Sequence, residues 1–331
     1  MPKTFSNKKI FVNEVNYLGL LVTGGSGLLG HALQKIKPNA LYISSKDYDL
    51  TKEKEVKAMF EEHKPTHVLH LAARVGGIKD NMKHPAEFIH QNILINTQVV
   101  HYAYKYNVEK LIGILSNCAY PDVAKKYPLK EEQLYDGPPQ STNFAYAYSK
   151  RVLGVQIDSY RKQYGCNFFS VIPCNLYGPY DNFNETHSHF VASLLKKIHE
   201  AKKNKKNTLP LLGSGKPLRQ YLYSEDLAQI LLLLLDKYDS EGPINIAPKD
   251  ENPAIKDIAR IALKSTKSEN IKITFDTSFP DGQYRKDLCI GKQLKIIGDF
   301  EFTSLSEGLK KTYEWYIKNA DTQSKLEEIW A

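Results

Sequence analysis

The stretch Leu18-Gly-Leu-Leu-Val-Thr-Gly-Gly-Ser-Gly-Leu-Leu-Gly30 decides the fold. Its first five residues are an apolar run of strand length. The rest places glycines at 24, 27 and 30 ahead of a helical segment reaching about Ile36. Glycines so spaced permit a tight turn, let the backbone approach a pyrophosphate and let the helix pack close to the strand, while the helix N-terminus offers N–H groups and partial positive charge. A strand-to-helix turn without a ligand would use the same residues, so the surrounding pattern has to decide.

That pattern is an alternation. Short apolar runs at 41–43, 67–71, 111–115 and 168–172 are separated by helical stretches at 56–62, 98–106 and 146–164. Strands and helices alternating at this length build βαβ units, which predicts an α/β protein with a Rossmann doubly wound parallel sheet. After Pro179 the rhythm breaks into loops rich in Asn, His, Gly and Pro, with isolated helices at 189–203, 224–238, 253–265 and 304–319. We expect a Rossmann dinucleotide-binding domain over 1–178, to which 220–247 returns, and a smaller, mostly C-terminal substrate-binding lobe over 179–219 and 248–331.

Composition narrows the field. The chain has 331 residues, 42% of them hydrophobic and 25% charged, as in an ordinary folded enzyme rather than a disordered chain. The leucine run at 230–235 is too short for a membrane span and reads as a buried helix, and the N-terminus lacks the apolar core of a signal peptide. The four cysteines lie far apart with no metal-ligand spacing, so we expect reduced thiols, no metal and a cytoplasmic address. A net charge of +8 suits anionic partners in general. Its densest run, 196–206, lacks interleaved aromatics and reads as a solvated helix end rather than a nucleic-acid surface.

The residues after the second strand, Ser44-Ser-Lys-Asp47, bear on the cofactor. An NAD site usually carries an acidic residue here for the ribose 2′-hydroxyl. Two hydroxyls and Lys46 instead suit a 2′-phosphate and point to NADP, although Asp47 follows directly and its direction is open. Further along, Tyr146 and Lys150 stand at i and i+4 on one helical face, an arrangement in which an ammonium lowers a phenol pKa for proton transfer to a carbonyl. Ser116, at the end of an earlier strand, strengthens that pairing. Tyr148, whose i+4 neighbour is Val152, is assigned to packing or substrate contact.

These elements together resemble the extended short-chain dehydrogenases/reductases. The resemblance narrows with His70-Leu-Ala-Ala-Arg-Val-Gly-Gly-Ile78, Ser116-Asn-Cys-Ala-Tyr-Pro121, Pro173-Cys-Asn-Leu-Tyr-Gly-Pro-Tyr-Asp-Asn-Phe183, Ser188-His189, Gly213-Ser-Gly-Lys-Pro-Leu-Arg219 and Pro280-Asp-Gly-Gln-Tyr-Arg-Lys286. Over nearly the whole chain this set is similar to the GDP-L-fucose synthase family, and the glycine loop and the Ser-Ser-Lys-Asp turn look like its animal-type branch. The resemblance implies NADPH-dependent epimerisation at C3 and C5 and reduction at C4 of a GDP-linked 4-keto-6-deoxy sugar. It implies catalytic Ser116, Cys118, Tyr146, Lys150 and His189. It implies NADP(H) contacts from Gly24, Gly27, Leu28, Gly30, Lys46, Asp49, Leu71, Ala72, Ala73, Pro173, Asn175 and Leu176, joined by Tyr146, Lys150 and His189. Substrate contacts would come from Asn175, Lys197, Leu212, Arg219 and Lys286, with Arg219 and Lys286 at the phosphates. A homodimer through 91–106 and 146–164 is also implied.

The chemistry is consistent with these roles. A 4-keto group acidifies the protons at C3 and C5, and a thiol and an imidazole both exchange protons near neutrality. Each has a plain competitor: Cys118 as a small buried hydrophobe, His189 as a helix cap with His187 equally eligible, and Cys166 and Cys174 as core. Two departures from the family are Lys197, where arginine is commoner, and Leu212, where tryptophan is usual. A C4 reductase acting on a GDP-4-keto-6-deoxyheptose is the nearest alternative, and a non-catalytic NADP-binding regulatory protein a distant one. Either enzyme would supply fucose or heptose for surface glycans such as capsular polysaccharide.

Overall fold

The computed structural model describes residues 19–184, 188–239, 241–249, 251–279 and 281–330, with side chains as far as 319. Leu18, His187 and Pro280, named above, lie outside them. In chain order the strands are β1 (Leu20–Thr23), β2 (Leu41–Ile43), β3 (His67–His70), β4 (Lys110–Ile114), β5 (Asn167–Pro173), β6 (Asn175–Tyr177), β7 (Thr208–Leu212), β8 (Tyr221–Tyr223), β9 (Ile244–Ile246) and β10 (Lys272–Asp276). The helices are α1 (Leu28–Ile36), α2 (Glu53–His63), α3 (Ile78–Lys83), α4 (Pro85–Lys105), α5 (Phe144–Tyr164), α6 (Phe190–Lys203), α7 (Ser224–Lys237), α8 (Ile255–Ser265), α9 (Gly291–Ile297) and α10 (Leu305–Trp330).

Six strands form the central sheet in the order β2-β1-β3-β4-β5-β9, every neighbouring pair parallel. Strands β1, β4 and β5 are apolar and buried almost throughout, because helices cover both faces of the sheet. Chain order reverses between β1 and β3. In doubly wound sheets, ligands settle in the crevice beyond the strand ends at that reversal. The leucine run of α7 is buried all round, as its sequence predicts.

Two apolar cores share the chain. The first surrounds the six-stranded sheet. The second collects Tyr177, Phe183, α6, β7, α8 and the start of α10. The short ladder of β6 and β8 stands between them, and side-chain alternation serves both: Leu176 and Leu222 face the first core, Tyr177, Tyr221 and Tyr223 the second. Leu288, Ile290, Ile297, Phe300 and Phe302 pack on the first core, so this part of the 248–331 segment differs from its expected place in the lobe.

Helix α4 begins at Pro85 rather than near 98. Proline in a first turn loses no helical hydrogen bond, and it fixes the start that the polar residues beyond it obscure. The strands β7, β8 and β10 stand where the sequence beyond Pro179 reads as loop or gives no element, and β6 lies just before it, where the pattern gives none. Each has only three to five residues and pairs in a two-stranded ladder, too short to show a period.

Candidate active site

The glycine loop closes the carboxyl end of β1. Gly24 has φ +71, and a Cβ there would lie 2.8 Å from the Ala72 nitrogen, so the ends of β1 and β3 touch at this residue. A Cβ on Gly30 would come within 2.3 Å of the Gly25 carbonyl oxygen, which is the close helix-to-loop packing the spacing implied. Gly27 differs. It is exposed, a Cβ there would meet nothing nearer than 3.4 Å, and it caps α1 without any side-chain hydrogen bond. The first amides of α1, beginning at Leu28, therefore face an open, uncapped helix end, which is what a pyrophosphate requires.

Below the loop, His70 is buried between the Thr23 hydroxyl at 2.8 Å and the Asn96 carbonyl oxygen at 3.0 Å. Burial, with the Lys150 ammonium nearby, pushes its pKa down to about 3, so it acts as a neutral strut joining β1, β3 and α4. Thr23 also accepts from the Ala72 amide at 3.2 Å, which fixes the Leu71-Ala72-Ala73 turn beside the cradle.

At the end of β2 the open direction of Asp47 is resolved. Its carboxylate turns back onto the Ser44 amide at 2.8 Å and the Ser44 hydroxyl at 2.7 Å, and these bonds hold its pKa below the usual range. Lys46 stays exposed beside it. An exposed lysine with the neighbouring acid already engaged fits a 2′-phosphate, and with the uncapped end of α1 it makes the site fit NADP. The Asp49 carboxylate is engaged locally by Thr51 and Lys52, at the approach to α2.

The reductase candidates meet where β4 ends. Ser116 caps a single 3-10 turn, Asn117–Ala119, its hydroxyl accepting from the Cys118 amide at 3.2 Å and hydrogen-bonding the Tyr146 phenol. Lys150 is buried, its ammonium donates to the Ile114 carbonyl at 2.8 Å, and burial pushes its pKa down to about 8. The sequence predicts that this ammonium lowers the phenol pKa. Instead burial, reinforced by the nearby Cys118, raises it, and the Ser116 hydrogen bond offsets only part of that. The phenol is therefore held in its protonated, donating form.

Cys118 faces a different set of groups. The Lys286 ammonium donates to its sulfur at 3.8 Å, and the Ser116 and Asn143 side chains lie beside it. Burial alone would raise the thiol pKa, but Lys286, Ser116, His189 and Asn143 together hold it below its ordinary value. His189, at the N-cap of α6, has its Nδ1 3.8 Å from the carboxylate of buried Asp181, and that carboxylate raises the imidazole pKa against the opposing effect of burial. The thiol is thus shifted toward thiolate and the imidazole toward imidazolium, and each feels the other's charge. Cys174 is core, its thiol pushed up by burial, and Cys166 is half-buried and likewise raised.

Arg219 lies close enough to feel the charge of Cys118, and it also donates to the Leu218 carbonyl at 2.7 Å. Asn175, which follows Pro173 and Cys174, donates to the Gln220 carbonyl at 2.8 Å and so ties β6 to the segment entering β8. Lys286, expected at the phosphates, reaches the Cys118 sulfur. Lys197 is half-buried on α6 and Leu212 is 54% exposed at the end of β7; among the described residues no hydrogen bond or ion pair ties either to the Cys118 cluster. Tyr148 is exposed under the Arg151 guanidinium. Asn143 and Asp181 were missed in the sequence. Asp181 lay within the quoted 173–183 motif, but nothing local signals that an aspartate eight residues before a histidine will fold back onto it. Among the described residues, no group of three or more His, Cys, Asp and Glu side chains could hold a metal ion.

The chain is similar to known proteins over most of its length. Residues 20–247 match the profile of the NAD dependent epimerase/dehydratase family. The GDP-L-fucose synthase of Dictyostelium discoideum is 40% identical over 92% of this chain and 97% of its own length. A GDP-L-fucose synthetase from Naegleria fowleri, solved bound to NADP, is 38% identical with a TM-score of 0.85 over 92% of this chain and 93% of that one. A GDP-mannoheptose C4 reductase from Campylobacter jejuni, also with NADP bound, is 26% identical with a TM-score of 0.80 over 90% and 98% of the two chains.

Proposed function

The chain belongs to the GDP-L-fucose synthase family of NAD dependent epimerase/dehydratases, and from that premise we propose that it epimerises a GDP-linked 4-keto-6-deoxy sugar at C3 and C5 and reduces it at C4. The observation that carries the reading is the meeting of two proton-handling sets at one strand end. Ser116 and Tyr146 form one, and Cys118 with Lys286, facing His189 with Asp181, the other.

Each group does what its environment prepares it for. The thiolate of Cys118 takes the proton from C3 or C5, and the electron pair of the broken C–H bond moves to O4. The protonated Tyr146 phenol, aligned by Ser116, hydrogen-bonds that enolate oxygen. Imidazolium His189 returns a proton to the opposite face of the carbon, and proton exchange with water resets the thiol and imidazole. NADPH, when bound, supplies the hydride that C4 receives. Tyr146 then gives its proton to O4. Lys150, held to Ile114, keeps the helix bearing Tyr146 against the strand end. Arg219 supplies the fork of donors suited to a diphosphate.

A reading confined to C4 reduction of a GDP-4-keto-6-deoxyheptose has one feature in its favour, the exposed Leu212 in place of a flat aromatic. Incubation with the ketosugar in deuterated buffer separates the two. Deuterium at both C3 and C5 of the product supports epimerisation, and product free of it leaves reduction alone. Failure to consume NADPH with any GDP-ketosugar would return the protein to a regulatory role. A homodimer through α4 and α5 completes the proposal, supported by the exposed Val152, Val155 and Tyr164 on α5. The sugar would serve surface glycans such as capsular polysaccharide, made in the cytoplasm.

A further inference from the structure

We infer that Lys286 is the positioning residue that keeps Cys118 ionised, a role within the epimerase reading proposed above and distinct from phosphate binding. Its ammonium reaches the sulfur at 3.8 Å, and among the described residues no carboxylate or carbonyl engages it. The adjacent Asp287 is turned away into a bidentate pair with Arg285. Lys286 is 8% exposed, so its charge acts where water screens little. The segment that carries it is fastened to the thiol's own loop. The Gln283 amide donates to the Pro121 and Asp122 carbonyls at 3.2 and 2.7 Å, and the Leu129 amide and carbonyl bond the Asp287 carbonyl and Cys289 amide at 2.7 and 2.8 Å. Bonds on both sides of residue 286 fix the ammonium over the sulfur.

The other charged or titratable groups facing Cys118 are His189 from the N-cap of α6, Tyr146 from α5 and Arg219 from the segment before β8, with Ser116 and Asn143 as neutral donors. Of these, only Lys286 both carries a positive charge and touches the sulfur. In the reaction, the thiolate accepts a carbon-bound proton while the electron pair passes to O4. The ammonium gives up no proton. It loses its anionic partner when the thiol forms and regains it when the thiol passes its proton to water.

The test is the pH dependence of iodoacetamide alkylation at Cys118, followed by mass spectrometry of its peptide in the free protein, for wild type, Lys286→Met and Lys286→Arg. The thiolate is the reacting form, so a loss of roughly tenfold in rate near neutrality corresponds to one unit of thiol pKa. Lys286→Met is expected to move the alkylation midpoint up by a unit or more, and Lys286→Arg to leave it near wild type. If Lys286→Met raises KM for the GDP-ketosugar while the alkylation profile stays put, Lys286 is a phosphate ligand and the inference fails. Circular dichroism of both variants excludes misfolding as the cause of a shift. Alkylation needs no substrate, so this result stands apart from the deuterium experiment: absence of C3 and C5 exchange would sink the epimerase reading, and an unmoved midpoint would sink the role of Lys286.

Discussion

The Lys150 ammonium lies 5.8 Å from the centre of the Tyr146 ring and donates to the carbonyl of Ile114, two residues before Ser116. The lysine thereby fastens α5 to the strand end that carries the serine and the thiol, and it leaves the phenol to Ser116. The phenol's raised pKa follows from its burial, and a phenol kept neutral has a proton to give.

Tyr146→Phe removes that proton. NADPH oxidation with the ketosugar, followed by absorbance, is expected to fall about 10²–10⁴-fold, the usual worth of a positioned general acid. NADPH binding should persist. A rate within a few-fold of wild type would mean that another group protonates O4.

Cys118→Ser exchanges a thiol whose pKa is held below its ordinary value for a hydroxyl that does not ionise in the working range. Deuterium incorporation at C3 and C5 should disappear, while reduction of an already epimerised ketosugar continues. Loss of turnover with both substrates would show that the thiol serves both steps.

Asp181→Asn keeps the shape of the side chain and removes its charge. Asp181 raises the His189 pKa, so the imidazolium persists to higher pH in the wild type and is lost as pH rises through that value. In the variant this loss moves to lower pH. The alkaline fall of C3/C5 exchange, measured across a pH series, should shift in the acid direction with it. An unmoved profile would remove His189 as the acid.

Gly27→Ala and Gly30→Ala separate binding from folding. A methyl at Gly30 would overlap the Gly25 carbonyl at 2.3 Å, and overpacking of this kind costs about 1–3 kcal/mol, visible as a lowered Tm. A methyl at Gly27 has room within the chain, so Tm should hold while NADPH affinity, measured by fluorescence titration, drops tenfold or more. Equal losses of Tm in the two variants would refute the distinction.

Five of the sheet's six strands were legible because their signals are local: each is a short apolar run between helices, and the loop from Thr23 to Gly30 announces its own turn. The sixth, β9, is three residues with Asn245 at its centre and shows no such run. The catalytic pair of Tyr146 and Lys150 was legible as residues and misread as physics, because i,i+4 spacing gives proximity but neither burial nor the carbonyl of Ile114 that takes the ammonium. The contact of Lys286 with the thiol was not legible, since nothing in the sequence shows residues 168 positions apart meeting at a sulfur. Asn143 and Asp181 were missed for the same reason. Their roles exist only once the segments before α5 and α6 have packed around β4.

The origin of Lys286, between β10 and α9, has a further consequence. Ser116, Tyr146 and Lys150 all belong to the sheet and its helix α5, whereas Lys286, Asp181 and His189 come from connecting segments elsewhere in the chain. Cys118 shares the strand end with Ser116, so the carbon-acid step draws its thiol from the sheet and its other charged groups from those segments. A substitution in the connecting segments can therefore silence that step and leave Ser116, Tyr146 and Lys150 whole, turning a bifunctional enzyme into a plain reductase.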